Sequence, residues 1–354
     1  MNTILLSNKL HKDRTYTYVV LFWSLVIFLY RVPVSLDLYR YYESVKSFQG
    51  NVFQMLDYVR EMNIDFIYLT SLKILYDLGI PMSVGTAIYV SFYFLTTLTL
   101  LKFIFGNSGV RIIPGILICC ICLAVPFSWV ICVSRSTAAF CFLFWGLYLY
   151  VKKKNIYAAI FALLSVLTHV SMLIFILLTV VGVIITPIFQ GRSKNKTIFM
   201  LIFLVVAVVG AGTLFSEVLN MLETISVADT RYNTYLGDND KLVGNFLLSS
   251  NLSKGERAHI FVLLLFYPIL LFQDKKWDMF SSVLLLCEIM LVFFNFTQPH
   301  MLIRTSMFVM PFFSVILCRC YAMNQKNRNL YKYFIYISIV CELWEFYNSR
   351  PDFL

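Results

Sequence analysis

Charged side chains make up only 14 % of this 354-residue sequence, where a soluble domain carries about 25 %. With 60 % of the residues hydrophobic, too few polar groups remain to clothe a water-exposed surface, and that excludes an ordinary soluble fold. Metal-ligand spacing is missing as well. Nine cysteines stand at 119, 120, 122, 132, 141, 287, 318, 320 and 341, nearly all inside apolar runs, and no CxxC sits in a polar loop with a histidine. They read as small packing or lipid-facing residues, and neither a metal nor another cofactor is expected. A loop DxD cluster is lacking too: Asp238-Asn239-Asp240 comes nearest and reads as a turn. No internal repeat is visible, which weakens an inverted-repeat transporter. Nor is a removable signal peptide evident, since the first apolar run follows a polar head from Lys9 to Arg14 and is long enough to stay as an anchor.

What the sequence does hold is a series of apolar stretches separated by short polar breaks. A hydrocarbon core about 30 Å thick needs roughly 20 helical residues to cross it. Candidate spans fall near 17–36, 84–105, 112–131, 133–151, 155–169, 171–188, 197–215, 258–273, 277–297, 301–320 and 330–347. The expected fold is therefore an all-α polytopic transmembrane bundle of about ten or eleven spans, a single integral membrane domain over 1–354. The rich Phe and Tyr content suits lipid-facing and interfacial surfaces.

The net charge of +10 belongs to loops rather than to a nucleic-acid surface. With the N-terminus inside, alternation places six basic clusters in the cytoplasm: Lys9/Lys12/Arg14, Lys102/Arg111, Lys152–Lys154, Arg192/Lys194/Lys196, Lys275/Lys276 and Arg319/Lys326/Arg328/Lys332. They hold 17 of the 29 Lys and Arg residues, and the C-terminus then falls on the outer face. This solution requires segment 64–81 not to cross. Asp65, Lys73 and Asp77 are costly at bilayer depth, so an amphipathic or re-entrant helix on the outer face is expected there. The 34 residues of 155–188 barely make two crossings, and an interruption near Thr168–Ser171 would resolve that. Two long outer loops result, about 37–83 and 216–257, each with six acidic and four basic residues and each expected to contain short amphipathic helices.

Polar residues at the span ends converge on that outer side. Arg135 opens a span in VSRSTAAF, Arg304 lies near the start of another in QPHMLIRTSMF, and His169 marks the interruption in LTHVSML. Asp37, Tyr41 and Tyr42 follow the first span, and Arg231 and Tyr232 lie in the second long loop. Each has a structural alternative: a span-end Arg snorkels to headgroups, a lone His packs, a Tyr cluster forms an interfacial belt, a loop Arg is solvated. Glu288 stands mid-span in LLLCEIML and reads as a carboxylate buried against a bundle neighbour or as a proton relay. Together, arginines that grip phosphate oxygens, a histidine that exchanges protons near neutrality and aromatic faces suit a diphosphate-linked sugar at the membrane surface.

These residues carry a resemblance. DLYRYY after the first span, an arginine opening a span that ends in lysines (VSRSTAAFCFLFWGLYLYVKKKN), THVSML about 34 positions later, and RYNTYL in a long loop before the span at Arg304 resemble, in order and spacing, the EpsG family within the wider group of Wzy-type O-antigen and capsule polymerases. The likeness runs from residue 37 to about 310. The chain departs from the family habit at Ser136, where a Gln-like residue is common, and at NIDFIY (63–68), where a Glu-Pro/Gly-Phe-like stretch is common.

The resemblance implies a metal-independent, glycosyltransferase-like polymerase in the bacterial plasma membrane. It would join undecaprenyl-diphosphate-linked repeat units into O-antigen, capsule or exopolysaccharide on the outer face. Its partners would be that lipid-linked glycan, membrane lipids, a chain-length regulator and a flippase. Carried over residue by residue, Arg135 and Arg304 would hold diphosphate and His169 would activate the acceptor. Asp37, Tyr41, Tyr42, Arg231 and Tyr232 would line the glycan path. An O-antigen ligase, a lipid-linked oligosaccharide flippase and a glycan acyltransferase are the competing readings. The flippase would place its charges in the middle of several spans, and the acyltransferase would need its histidine facing the cytoplasm.

Overall fold

The computed structural model describes residues 15–29, 37–61, 66–107, 125, 127–190, 254–274, 276–297, 299–323 and 328–348. Among the described residues every regular element is a helix: α1 Thr15–Leu29, α2 Asp37–Ser47, α3 Val52–Glu61, α4 Phe66–Asp77, α5 Met82–Asn107, α6 Phe127–Cys132, α7 Ser134–Val151, α8 Asn155–Thr168, α9 Met172–Phe189, α10 Lys254–Gln273, α11 Met279–Thr297, α12 Pro299–Met323 and α13 Arg328–Asn348. Three are long and apolar enough to cross a membrane, over Met82–Gly106, Met172–Phe189 and Met301–Ala322, and several shorter apolar helices accompany them. This is the helical membrane bundle that the composition predicts. Most of the expected 112–131 span and all of the 197–215 span lie outside the described residues.

Packing divides the chain into two units, residues 1–122, 127–173 and 349–354 in the first, and 123–126 and 174–348 in the second. In the first unit α1 lies antiparallel to α5. Trp23 stacks on Phe94 with centroids 4.3 Å apart, and the Lys102 ammonium sits 3.8 Å from the Tyr16 ring at the other end of α1. α5 runs parallel to α7, joined by Tyr93–Phe144 (5.3 Å) and Phe103–Tyr148 (5.8 Å). α7 and α8 then form a tight hairpin through Lys152–Lys154, where Lys153 takes the left-handed conformation at φ 61°. Gly146 is what permits the close approach, since a Cβ there would lie 3.2 Å from the Ala158 carbonyl oxygen.

Within segment 64–81 the described helix is the 12-residue α4, about 18 Å long and so shorter than a core of about 30 Å. Its charges are internally matched. Lys73, 4 % exposed, donates to Asp77 Oδ1 at 2.6 Å and lies against the rings of Phe48 and Tyr76. Helices α2 and α3 are amphipathic, and apolar residues of α2 to α4 (Val45, Met55, Val59, Tyr68, Leu69, Leu72) form one core with Met82 of α5 and Ala138 of α7. They therefore cap the end of the unit at which α5 and α7 begin and α8 stops.

In the second unit α11 and α12 are antiparallel, and α10 pairs with α13 through stacked Phe266 and Phe334, 3.7 Å apart. α9 meets α11 where Gly182 abuts Val283 and Thr186 donates to Ser282 Oγ at 2.9 Å. One residue behaves differently from its sequence reading. Arg319, counted with the loop charges, is 6 % exposed and is held by Asp274 (2.9 Å) and Asp278 (2.8 Å) at the α10–α11 turn. Its guanidinium also donates to the Lys276 carbonyl, and Ser281 donates to Asp274 Oδ2 at 2.6 Å. Positive charge at a span end is thus internally neutralised here rather than offered to headgroups.

Candidate functional site

The capped end of the first unit gathers four of the residues singled out in the sequence, Arg135, Tyr41, Tyr42 and His169. α7 starts without a capping side chain, because Val133 supplies none, and Arg135 stands in its first turn. Helix N-termini carry partial positive charge, so a cation there gains nothing from the helix dipole while adding to a positive end suited to anions. The Arg135 guanidinium carbon lies 5.1 Å from the centre of the Tyr41 ring, a cation–π contact worth about 0.5–1 kcal/mol where exposed. Tyr41 in turn meets Tyr68 edge-on at 5.7 Å.

Buried hydroxyls hold this arrangement in place. Tyr68 and Ser134, the residue before Arg135, share a hydrogen bond of 2.5 Å, while Tyr42 and Thr86 share one of 2.6 Å. Burial pushes the Tyr42 phenol up to about 12, with the Thr86 hydrogen bond pulling it partly back. Burial raises the Tyr68 phenol as well. Both therefore stay neutral at working pH and act as hydrogen-bonding supports. Tyr89 donates to Ser71 Oγ at 2.9 Å, which ties α5 to α4 on the same side. Thr137 donates to the Val130 carbonyl at 2.6 Å and so fixes the α6–α7 corner.

His169 enters through the α7–α8 hairpin. It ends α8 in extended backbone, φ −159° and ψ 116°, with its amide bonded to the Ser165 carbonyl, and α9 restarts at Met172. The helices thus break where the sequence placed an interruption. Ser165 donates to the Ala139 carbonyl at 2.8 Å. Four residues on from Ser165 and four back from Ala139 lie His169 and Arg135, so the antiparallel register sets them level. His169 is 7 % exposed. Ser136 Oγ, one residue beyond Arg135, and Ser171 Oγ, in the break, are buried and find no hydrogen-bond partner among the described residues. This end combines a guanidinium, an imidazole, a helix N-terminus and two uncommitted hydroxyls.

The remaining predicted residues are placed separately. Asp37 begins α2, at the head of the helix that carries Tyr41 and Tyr42. Arg304 belongs to the second unit, in the second turn of α12, with Nη1 4.0 Å from the Met301 sulfur. Arg231 and Tyr232 lie outside the described residues. Sequence reasoning missed Tyr68, Ser134 and Thr86. Tyr68 and Ser134 are 66 positions apart, and no local pattern announces a pair so distant. Among the described residues no cluster of three or more His, Cys, Asp and Glu is arranged to hold a metal ion.

No curated protein and no solved structure matches the chain. A family model does, described as the EpsG family, and it matches residues 14–353.

Proposed function

The chain belongs to the EpsG family, whose members are Wzy-like polysaccharide polymerases, and we propose that it polymerises undecaprenyl-diphosphate-linked oligosaccharide repeats at the outer face of the bacterial plasma membrane. The observation that carries this reading is Arg135 on the Tyr41 ring at the uncapped start of α7, level with His169 through the hairpin register.

In the proposed step the acceptor hydroxyl oxygen of a new lipid-linked unit bonds to the anomeric carbon of the growing chain. The bond from that carbon to the phosphate oxygen breaks, and its electron pair leaves on the lipid diphosphate. Arg135 and the amides of the α7 N-terminus neutralise the departing charge. His169 takes the acceptor proton. Ser136 and Ser171 offer hydroxyls to the sugar, and Tyr41 offers a ring face. Asp37, Tyr42, Arg231 and Tyr232 are assigned to the glycan path, and Arg304 to phosphate binding on the chemistry of its guanidinium. The basic loops set the orientation, with the N-terminus in the cytoplasm and the C-terminus outside.

The test is polymer length in cells and in reconstituted membranes. Arg135→Ala and Arg304→Ala are each expected to abolish polymer while single lipid-linked repeats accumulate. Full-length glycan at normal levels from either variant removes that residue from phosphate binding.

A further inference from the structure

The α7–α8 hairpin has a second end, opposite the one that carries Arg135 and His169, and it is strongly cationic. Lys152, Lys153 and Lys154 stand there in succession, all exposed. Their backbone is fixed. The Lys153 amide bonds to the Tyr150 carbonyl at 2.8 Å and the Lys154 amide to the Leu149 carbonyl at 2.9 Å, the two bonds that close a helix in a Schellman turn. Such a turn puts one residue in the left-handed region, where glycine or asparagine sits at least cost. Here Lys153 occupies it, at φ 61°. A lysine kept at a position that favours glycine points to a use for its charge. Beside it the Lys152 ammonium lies 4.7 Å from the centre of the Tyr148 ring and 5.2 Å from that of Phe103. α8 then begins at Asn155 with no capping side chain, so its first-turn amides add to the positive end.

Nearby sequence supplies no acid to balance these lysines. From 78 to 216 there is neither Asp nor Glu, and α1, α5, α7 and α8, packed together in this unit, contain none. The second unit uses the opposite solution, with Asp274 and Asp278 holding Arg319. The surface leading away from the lysines is apolar. Ile156, Ile160, Leu163 and Leu167 are exposed and recur at i, i+4, i+7 and i+11, one stripe along α8. It is about 17 Å long. Tyr150 and Tyr157, also exposed, stand at its cationic head, where amphipathic rings suit the boundary between headgroups and hydrocarbon.

We propose that the Lys152–Lys154 turn and the α8 stripe form a binding site for an anionic phospholipid. Its phosphate head rests on the lysines and the α8 amides, and an acyl chain lies along Ile156, Ile160, Leu163 and Leu167. The stripe favours a lipid over an acidic protein segment, because a carboxylate-rich peptide has nothing apolar to lay on it. A head bound there pins the base of the hairpin whose far end carries Arg135 and His169. The site stands apart from the glycan chemistry and needs no part of it.

The full-length protein, purified in detergent and stripped of lipid, is titrated with dioleoyl phosphatidylglycerol or dioleoyl phosphatidylcholine while Tm is read. The anionic lipid is expected to raise Tm at a mole fraction at least about tenfold lower than the zwitterionic one, since each lysine near the headgroup contributes about fivefold. Lys152→Gln with Lys153→Asn and Lys154→Gln should abolish that preference, whereas arginine at all three positions should keep it. Lys153→Asn alone, which the left-handed backbone accepts, should weaken the anionic lipid by about fivefold and stands in if the triple variant does not fold. Ile156→Ser with Ile160→Ser should weaken both lipids and leave the preference intact. Equal responses to the two lipids, or a preference that survives loss of the lysines, overturns the headgroup site. Unchanged affinity for both lipids in the double serine variant overturns the acyl-chain stripe. Hexaglutamate peptide should not raise Tm; if it does so as well as the anionic lipid, and the lysine variant loses the effect, an acidic protein segment replaces the lipid as the partner.

Discussion

His169 is held at the end of α8 by main-chain bonds on both sides, its amide to the Ser165 carbonyl and its carbonyl to the Met172 amide at 3.0 Å. Its ring is therefore delivered by a helix break rather than by the middle of a helix. Replacing it with alanine is expected to lower turnover by about 10² or more, as loss of a general base does. The rate is read in membranes supplied with purified donor, with melting of the solubilised protein measured alongside. An unchanged rate would make His169 a packing residue. At this scale much was legible. Arg135, His169 and Arg304 announce themselves as ionisable groups at the ends of apolar runs, where a polar side chain needs a reason. Tyr68 and Ser134 did not, because an aromatic and a small hydroxyl look ordinary until they meet.

At the scale of elements, the α10–α11 turn explains how a short connection joins two helices without frayed ends. Asp274 is buried, and burial pushes its carboxyl up while the Arg319 guanidinium and the Ser281 hydroxyl pull it back. Trp277 closes the corner by donating to Ser282 Oγ at 2.9 Å, and Tyr331 of α13 donates to Gln273. Arg319→Ala leaves two carboxylates facing an empty space, which costs about 3–5 kcal/mol when a buried pair loses one partner. Thermal unfolding in detergent should show the full loss for alanine. A clear loss is also expected for lysine, which lacks the planar fork that reaches both acids. Melting like the parent would show that the clasp adds nothing. The sequence concealed this arrangement because Arg319 follows the positive-inside pattern as well as any loop charge does. The short helix α4 was easier to foresee, since Asp65, Lys73 and Asp77 make a crossing there costly.

At the scale of the whole molecule, the pairs α1–α5 and α7–α8 are antiparallel within the first unit, and α11–α12 is within the second. The cytoplasmic assignment of the Lys152–Lys154 turn is tested by reporter fusions. A fusion after residue 154 should report the cytoplasm, and one near residue 235 the outer compartment. The reverse result at either point removes the argument that Arg135 and His169 face the outside. What the sequence determined by itself is the membrane class, the positions of most helices and the family, because hydrophobic length and charge placement are local properties that the bilayer reads directly. Tertiary structure alone decided which polar groups meet. It set Arg135 against Tyr41 and level with His169, and turned Arg319 inward. The physical reason is that helix register and a close approach such as that at Gly146 choose partners tens of residues apart, and nothing within a single span encodes that choice.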